Sequence, residues 1–170
     1  MHALKQRTSG AAPQPIDSAD AAFACALRYL GYRARSVAEV KNYLRRRGAA
    51  DAVVEATIEK LGGFNFINDE TFARNWALSR AQSQGYGPRK IEQELRTKGV
   101  VDAIIRAVVK ELFEQEDEEN RARKILKKQF TSENLQEPRV LRRAVAFLQR
   151  RGYSSKVIYT LLRCPIDDNL

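Results

Sequence analysis

Histidine is almost missing from this chain: the one imidazole, His2, stands in the opening stretch, so no Ser–His or Cys–His pair can be built on the rest. Cysteine is scarce as well. Cys25 and Cys164 lie far apart with no second thiol or histidine near either, which excludes zinc-ligand spacing and a disulfide scaffold and points to the reducing cytoplasm. No apolar run approaches the ~20 residues that span a bilayer, and the first residues, with Lys5, Arg7, Gly10 and Pro13, lack the greasy centre of a signal peptide. A soluble, unexported protein is expected, with no membrane partner. Strand-like alternation beyond a few residues is also missing. The glycines of Gly62-Gly63 and Gly85-Tyr86-Gly87 lack the strand and spacing of a nucleotide-binding loop, and Glu92 and Glu94 do not face each other on a helix. Catalysis therefore finds little support, and no cofactor, metal or small-molecule substrate is expected.

What the chain has in excess is positive charge. Thirty Lys and Arg stand against 21 Asp and Glu, giving +9 over 170 residues, so polyanions or acidic surfaces are the natural partners. With 44% apolar residues the chain is long enough to bury a core. Residues 1–17 carry few groups able to pack, and Gly10, Pro13 and Pro15 break any regular element, so a mobile tail is expected there.

From Ser18 onward the 3.6-residue period of an all-α protein dominates, and it recurs in three blocks. Val37 to Leu61, Pro88 to Leu112 and Leu141 to Leu162 align on Gly48, Gly99 and Gly152, the second glycine 51 residues after the first and the third a further 53. Each glycine separates two short helices, where a left-handed turn is needed that only glycine adopts without a Cβ penalty. Val40 and Leu44, Ile91 and Leu95, and Ala144 and Leu148 stand one turn apart before the glycines. After them come the wide apolar stripes Val53-Val54-Thr57-Ile58, Ile104-Ile105-Val108-Val109 and Val157-Ile158-Leu161-Leu162.

A further helix precedes each pair, over Ala21–Tyr32, Glu70–Ser83 and Asn120–Phe130. The expected organisation is three three-helix repeats, residues 18–67, 68–118 and 119–170, whose neighbours stack or share helices. Start signals agree: Ser36 and Glu39 have capping-box spacing, Asn68 and Asp69 can cap the helix carrying Phe72, and Pro88 suits a first turn. Phe64, Phe66, Phe72 and Trp76 could stack on bases, but their spacing favours the core.

Basic residues recur on the middle helix of each repeat: Arg45, Arg46 and Arg47; then Arg89, Lys90, Arg96 and Lys98; then Arg142, Arg143, Arg150 and Arg151. Cations near one helix C-terminus need mean nothing more than a favourable macrodipole. Three clusters at equivalent places form a stripe that favours a polyanion-binding face, although spacing alone does not separate phosphate from an acidic protein. The acidic run Glu111, Glu114, Glu116, Asp117, Glu118 and Glu119 reads most simply as a solvated helix or linker, and its sharper reading is an interaction patch beside the third repeat.

The segment Gly85-Tyr86-Gly87-Pro88-Arg89-Lys90-Ile91-Glu92-Gln93-Glu94-Leu95-Arg96-Thr97-Lys98-Gly99 resembles the central block of the RecX family, regulators of the bacterial recombinase RecA. Phe66-Ile67-Asn68-Asp69-Glu70-Thr71-Phe72-Ala73 is similar to that family's aromatic-Leu-Asp-Asp-x-x-Phe-Ala step, and Arg150-Arg151-Gly152-Tyr153-Ser154 with Ile158 to its end. Arg35, Asn68 and Val40 depart from the family pattern, at caps and packing positions. The resemblance covers Ala21 to about Arg163 and implies three tandem three-helix repeats in an elongated, curved array, without catalysis or cofactor; a monomer is expected. It further implies binding in the groove of a RecA filament on single-stranded DNA and, most often, lowered recombinase, ATPase and coprotease activity. A general helical DNA-binding module and a protein-only adaptor are the competing readings.

Overall fold

Short polar residues or prolines set several of the helix starts. Ser18 accepts the Ala21 N–H and opens α1 (Ala19–Leu30), and Asn68 accepts the Thr71 N–H at 2.9 Å and opens α4 (Asp69–Ser79). Pro88 begins α5 (Pro88–Thr97) and Pro138 begins α8 (Pro138–Arg150), where a missing N–H costs nothing. The remaining helices are α2 (Val37–Arg46), α3 (Asp51–Gly63), α6 (Asp102–Gln115), α7 (Glu118–Gln129) and α9 (Ser155–Leu162). The computed structural model describes residues 16, 18–115 and 117–163, and among these it holds nine α-helices and no strand. Most of the expected tail lies outside the described residues, yet Ile16 within it is buried. No described helix is long and apolar enough to cross a membrane.

Three triplets follow the glycine pattern, and Gly48, Gly99 and Gly152 have φ of 84°, 75° and 81°. The chain forms two units, one taking the chain up to Arg35 with Glu39–Ile67, the other Ser36–Ala38 with Asn68 onward. In the first, α1 packs on α3, and Ala22, Cys25, Val40, Leu44, Val54 and Leu61 are buried. Tyr29 stacks on Tyr43 with ring centroids 3.9 Å apart, Arg35 lies over the Tyr29 ring, and the Cys25 thiol lies 3.3 Å from the Tyr43 hydroxyl. That hydrogen bond and burial raise the Tyr43 pKa above its ordinary value, against the opposing pull of Arg47.

In the second unit α4 and α5 pack on α6, and α7 and α8 pack on α9. One core gathers Phe72, Ala73, Ala77, Ile91, Leu95, Ile105, Val108 and Val109, with Trp76 against it. The other gathers Ala122, Leu126, Phe130, Val140, Ala144, Leu148, Tyr153 and Ile158. Each fully buried Leu or Ile contributes ~1.5–3 kcal/mol by burial, which is how helices of about ten residues hold their places.

Glycines also join the two triplets of this unit. The Gly87 N–H donates to the Arg151 carbonyl at 2.7 Å and the Arg89 N–H to the Gly152 carbonyl at 3.1 Å. A Cβ on Gly152 would lie 2.3 Å from the Lys90 nitrogen, and one on Gly87 2.7 Å from the Gly152 oxygen. The Tyr153 hydroxyl donates to the Gly85 carbonyl, and Glu118 accepts both the Ser154 N–H and its hydroxyl. Comparable bonds tie Ser36–Ala38 into the unit: the Ser36 hydroxyl donates to the Lys98 carbonyl and the Val37 N–H to Asp69 at 2.8 Å. Burial pushes the Asp69 carboxyl above the usual carboxylate range, while the Val37 N–H draws it down.

Several expectations need correction. Phe64 and Phe66 are exposed, at 62% and 52%, rather than core. They follow the end of α3 at Gly63, so neither lies on a helix face, and Asn65 between them turns left-handed at φ 57°. The helix through Phe72 stops at Ser79 and widens into a π turn, Arg80–Gln84, because Gly85 at φ 63° returns its N–H to the Arg80 carbonyl. Helices α7 and α8 start two and three residues before the positions expected from their apolar residues. The acidic run, by contrast, stays at the surface as its simplest reading has it, with Glu111 paired to Arg74, Glu114 to Lys110, Glu119 to Arg123, and Asp117 capping α7, while Glu116 lies outside the described residues.

Candidate nucleic-acid interface

The eleven cations singled out on the middle helices do not share one fate. Arg45 is bound by Asp51 at 2.8 Å, and Arg96 at the equivalent place by Asp102 at 2.9 Å and by Glu92 at 3.3 Å. Each pair crosses the glycine turn to the first residue of the next helix, and the hydrogen-bonded carboxylate raises both arginine pKa values. The third repeat has Gln149 and Ser155 at these places, so it lacks the clamp. Arg143 is held by Glu133 at 2.5 Å and lies over the Phe130 ring. Arg47 lies against Tyr43, its Nε buried without a hydrogen-bond partner.

Arg46, Arg89, Arg142 and Arg150 are exposed and carry no ion pair among the described residues. Lys90 donates to Gln93 at 3.3 Å, Lys98 lies over the Trp76 ring, and Arg151 lies 4.5 Å over the Phe147 ring. A continuous stripe of equally available charge is therefore not what the side chains form.

The second unit instead presents two grooves. The first, about 380 Å³, is lined by Trp76, Arg80, Lys90, Gln93, Glu94, Thr97 and Lys98. At its centre the Glu94 carboxylate accepts the Trp76 indole N–H and the Arg80 Nε–H, both at 2.9 Å, and Arg80 also lies 4.3 Å over the indole. The second groove, about 530 Å³, is lined by Gln129, Phe130, Arg139, Arg142, Arg143, Ala146, Phe147 and Arg150. A smaller hollow of about 260 Å³ shares Gln129 and Phe147 with it and adds Lys128 and Arg151.

The second groove follows from helical geometry. Arg139, Arg142, Arg143, Ala146 and Arg150 recur every three or four residues, so they share one face of α8, opposite buried Val140, Ala144 and Leu148. Sequence reasoning missed Arg139 and Lys128, and the signal for Arg139 was its place three residues before Arg142 once Pro138 is read as the helix start. It also missed the anchoring roles of Arg80 and Glu94, which depend on α4 and α5 meeting in space.

Tandem three-helix units, two of them with cation-lined grooves on their middle helices, define an all-α repeat protein. Family models described as the RecX first, second and third three-helix domains match residues 22–61, 68–109 and 116–162. The chain belongs to the RecX family of regulatory proteins. It is 36% identical over 151 residues to "Regulatory protein RecX" of Corynebacterium efficiens, covering 85% of this chain and 71% of that one. The protein of the same name from Thermobifida fusca is 34% identical over 155 residues, covering 91% and 83%. The crystal structure of RecX from Lactobacillus salivarius shares the fold, with a TM-score of 0.74 at 22% identity over 86% of this chain and 96% of that one. These relatives are named as regulators rather than as enzymes.

Proposed function

We propose that this chain is a non-catalytic regulator of RecA, acting in the cytoplasm as a monomer. It binds in the groove of the RecA filament on single-stranded DNA and lowers recombinase, ATPase and coprotease activity. Repeats at residues 18–67, 68–118 and 119–170 each contribute a middle helix to the contact. The observation that carries this reading is the match of all three family domains to a chain that keeps exposed, unpaired arginines on its middle helices. A regulator of this kind needs only differential affinity for filament states, and no bond is made or broken. Positive charge at Arg46, Arg89, Lys90, Arg142 and Arg150 favours approach to a nucleoprotein polyanion.

The test is the ATPase of RecA on single-stranded DNA with this protein titrated in. The rate is expected to fall as the protein is added at substoichiometric to equimolar ratios. A rate that stays flat while the protein binds DNA alone would replace this reading with a general DNA-binding module. A flat rate with no DNA binding would leave a protein-only adaptor.

A further inference from the structure

The two grooves of the second unit are copies of one site. Shifting by the interval that relates Gly99 to Gly152 places Lys90 on Arg143, Gln93 on Ala146, Thr97 on Arg150 and Glu94 on Phe147. The copies differ in where their positive charge ends up. In the α5 groove an anion is built in, since Glu94 takes the Trp76 and Arg80 donors at 2.9 Å each. In the α8 groove that position is Phe147, no lining residue is acidic, and Arg139, Arg142 and Arg150 have no ion pair among the described residues. Both sites gather cations on a concave surface, but the α5 site holds a carboxylate among them, whereas in the α8 site only Arg143 is ion-paired among the described residues, to Glu133 outside the lining.

We propose that the α8 groove is the chain's phosphate-binding site for a single nucleic-acid strand, and that Glu94 keeps the equivalent α5 groove from being a second one. The inference deepens the filament reading and rests on it only in taking single-stranded DNA as the polyanion. Arg139, Arg142 and Arg150 climb one face of α8 over ~16 Å, at 1.5 Å per residue. That length accommodates several successive phosphates of one strand. A protein partner fits less well, because interface affinity comes from buried aromatic and aliphatic anchors. The groove's rings are occupied, Phe130 under Arg143 and Phe147 under Arg151, while the exposed large apolar residues Tyr32, Phe64, Phe66, Leu78, Val101 and Tyr159 line neither groove. Covered rings leave no stacking platform either, so contact is to the backbone and insensitive to base sequence.

The experiment measures binding of a fluorescent oligo-dT to the full chain, without RecA, across a salt series. R142E/R150E is compared with E94Q, and circular dichroism and urea midpoints check that each variant is folded. Each lost phosphate contact flattens the log–log salt slope by ~0.7, so the double variant is expected to lose ~1.4 in slope and about 25-fold in affinity at 0.1 M salt. E94Q, whose amide oxygen still accepts from Trp76, is expected to steepen the slope by ~0.7 as Arg80 becomes available. Wild-type binding by folded R142E/R150E overturns the proposal, as does an E94Q slope no steeper than wild type. If an acidic peptide such as oligo-glutamate displaces the dT strand at equal charge, the groove reads acidic protein and the assignment to phosphate falls. RecA ATPase inhibition is followed in parallel with the same variants. Loss of dT binding with inhibition intact separates the failure of the filament–DNA link from that of the groove assignment, whereas wild-type protein without inhibition fails only the filament reading.

Discussion

Gly152→Ala is expected to destabilise the second unit by more than ~3 kcal/mol, seen as a lower urea midpoint. At φ 81° any L side chain meets its own carbonyl, which costs roughly 1–2 kcal/mol before neighbours are counted. The new methyl would then lie 2.3 Å from the backbone nitrogen of Lys90 and 2.6 Å from its Cβ. Backbone does not rotate away as a side chain does, so α5 and the α8–α9 turn must separate. Separation loosens the Gly87–Arg151 and Arg89–Gly152 hydrogen bonds, each worth ~0.5–1.5 kcal/mol net. Gly62→Ala and Gly63→Ala are the controls. Both lie in α3, neither would meet an atom within 4 Å, and both are expected to be neutral or to raise stability by up to ~1 kcal/mol. A wild-type midpoint for Gly152→Ala would mean that the turn is not left-handed or that the seam is absent.

The repeats were legible because a backbone constraint leaves a one-letter trace: three glycines at near-constant spacing mark three turns that no other residue enters cheaply. The apolar pairs beside them, such as Ile91 and Leu95, carry the helical period by themselves. Helix starts were less legible where polar residues begin the helix, as at Glu118 and Pro138, since nothing apolar announces the first turn. The candidate site was legible as a set of charges but not as a set of available charges. Arg45 and Arg96 look like Arg142 in a helical projection, yet both reach across a turn to an aspartate six residues on. The repeated Arg-to-Asp interval carried that information, and its absence at Gln149 and Ser155 singled out the third repeat. Glu94 could not be read this way, because its partners Trp76 and Arg80 belong to α4 and the π turn, which meet α5 only in the folded packing of α4, α5 and α6.

Leu95→Ala and Ile105→Ala are each expected to lower stability by ~2–5 kcal/mol. Both side chains are fully buried, and Leu95 is one of only two buried residues by which α5 is attached, the other being Ile91. Truncation removes burial energy and leaves a cavity between α5 and α6 that stiff neighbours such as Val108 and Val109 fill poorly. With a urea slope of ~1–3 kcal/mol per molar, a loss of 3 kcal/mol moves the midpoint by about 1–3 M. Leu148→Ala, at the equivalent position of α8 and also fully buried, is expected to behave alike. Gln93→Ala and Arg96→Ala alter exposed side chains on the same helix as Leu95, and their midpoints are expected to move far less. The comparison also separates two ways of losing function. A leucine variant weakens any contact made by its middle helix through loss of the helix's seat, with stability falling in step, whereas charge reversal at Arg142 and Arg150 weakens it with the midpoint unchanged. Core variants that melt at the wild-type midpoint would mean that the glycine-anchored alignment places the wrong face of α5 and α8 inward, and the groove-facing residues would have to be reassigned with it.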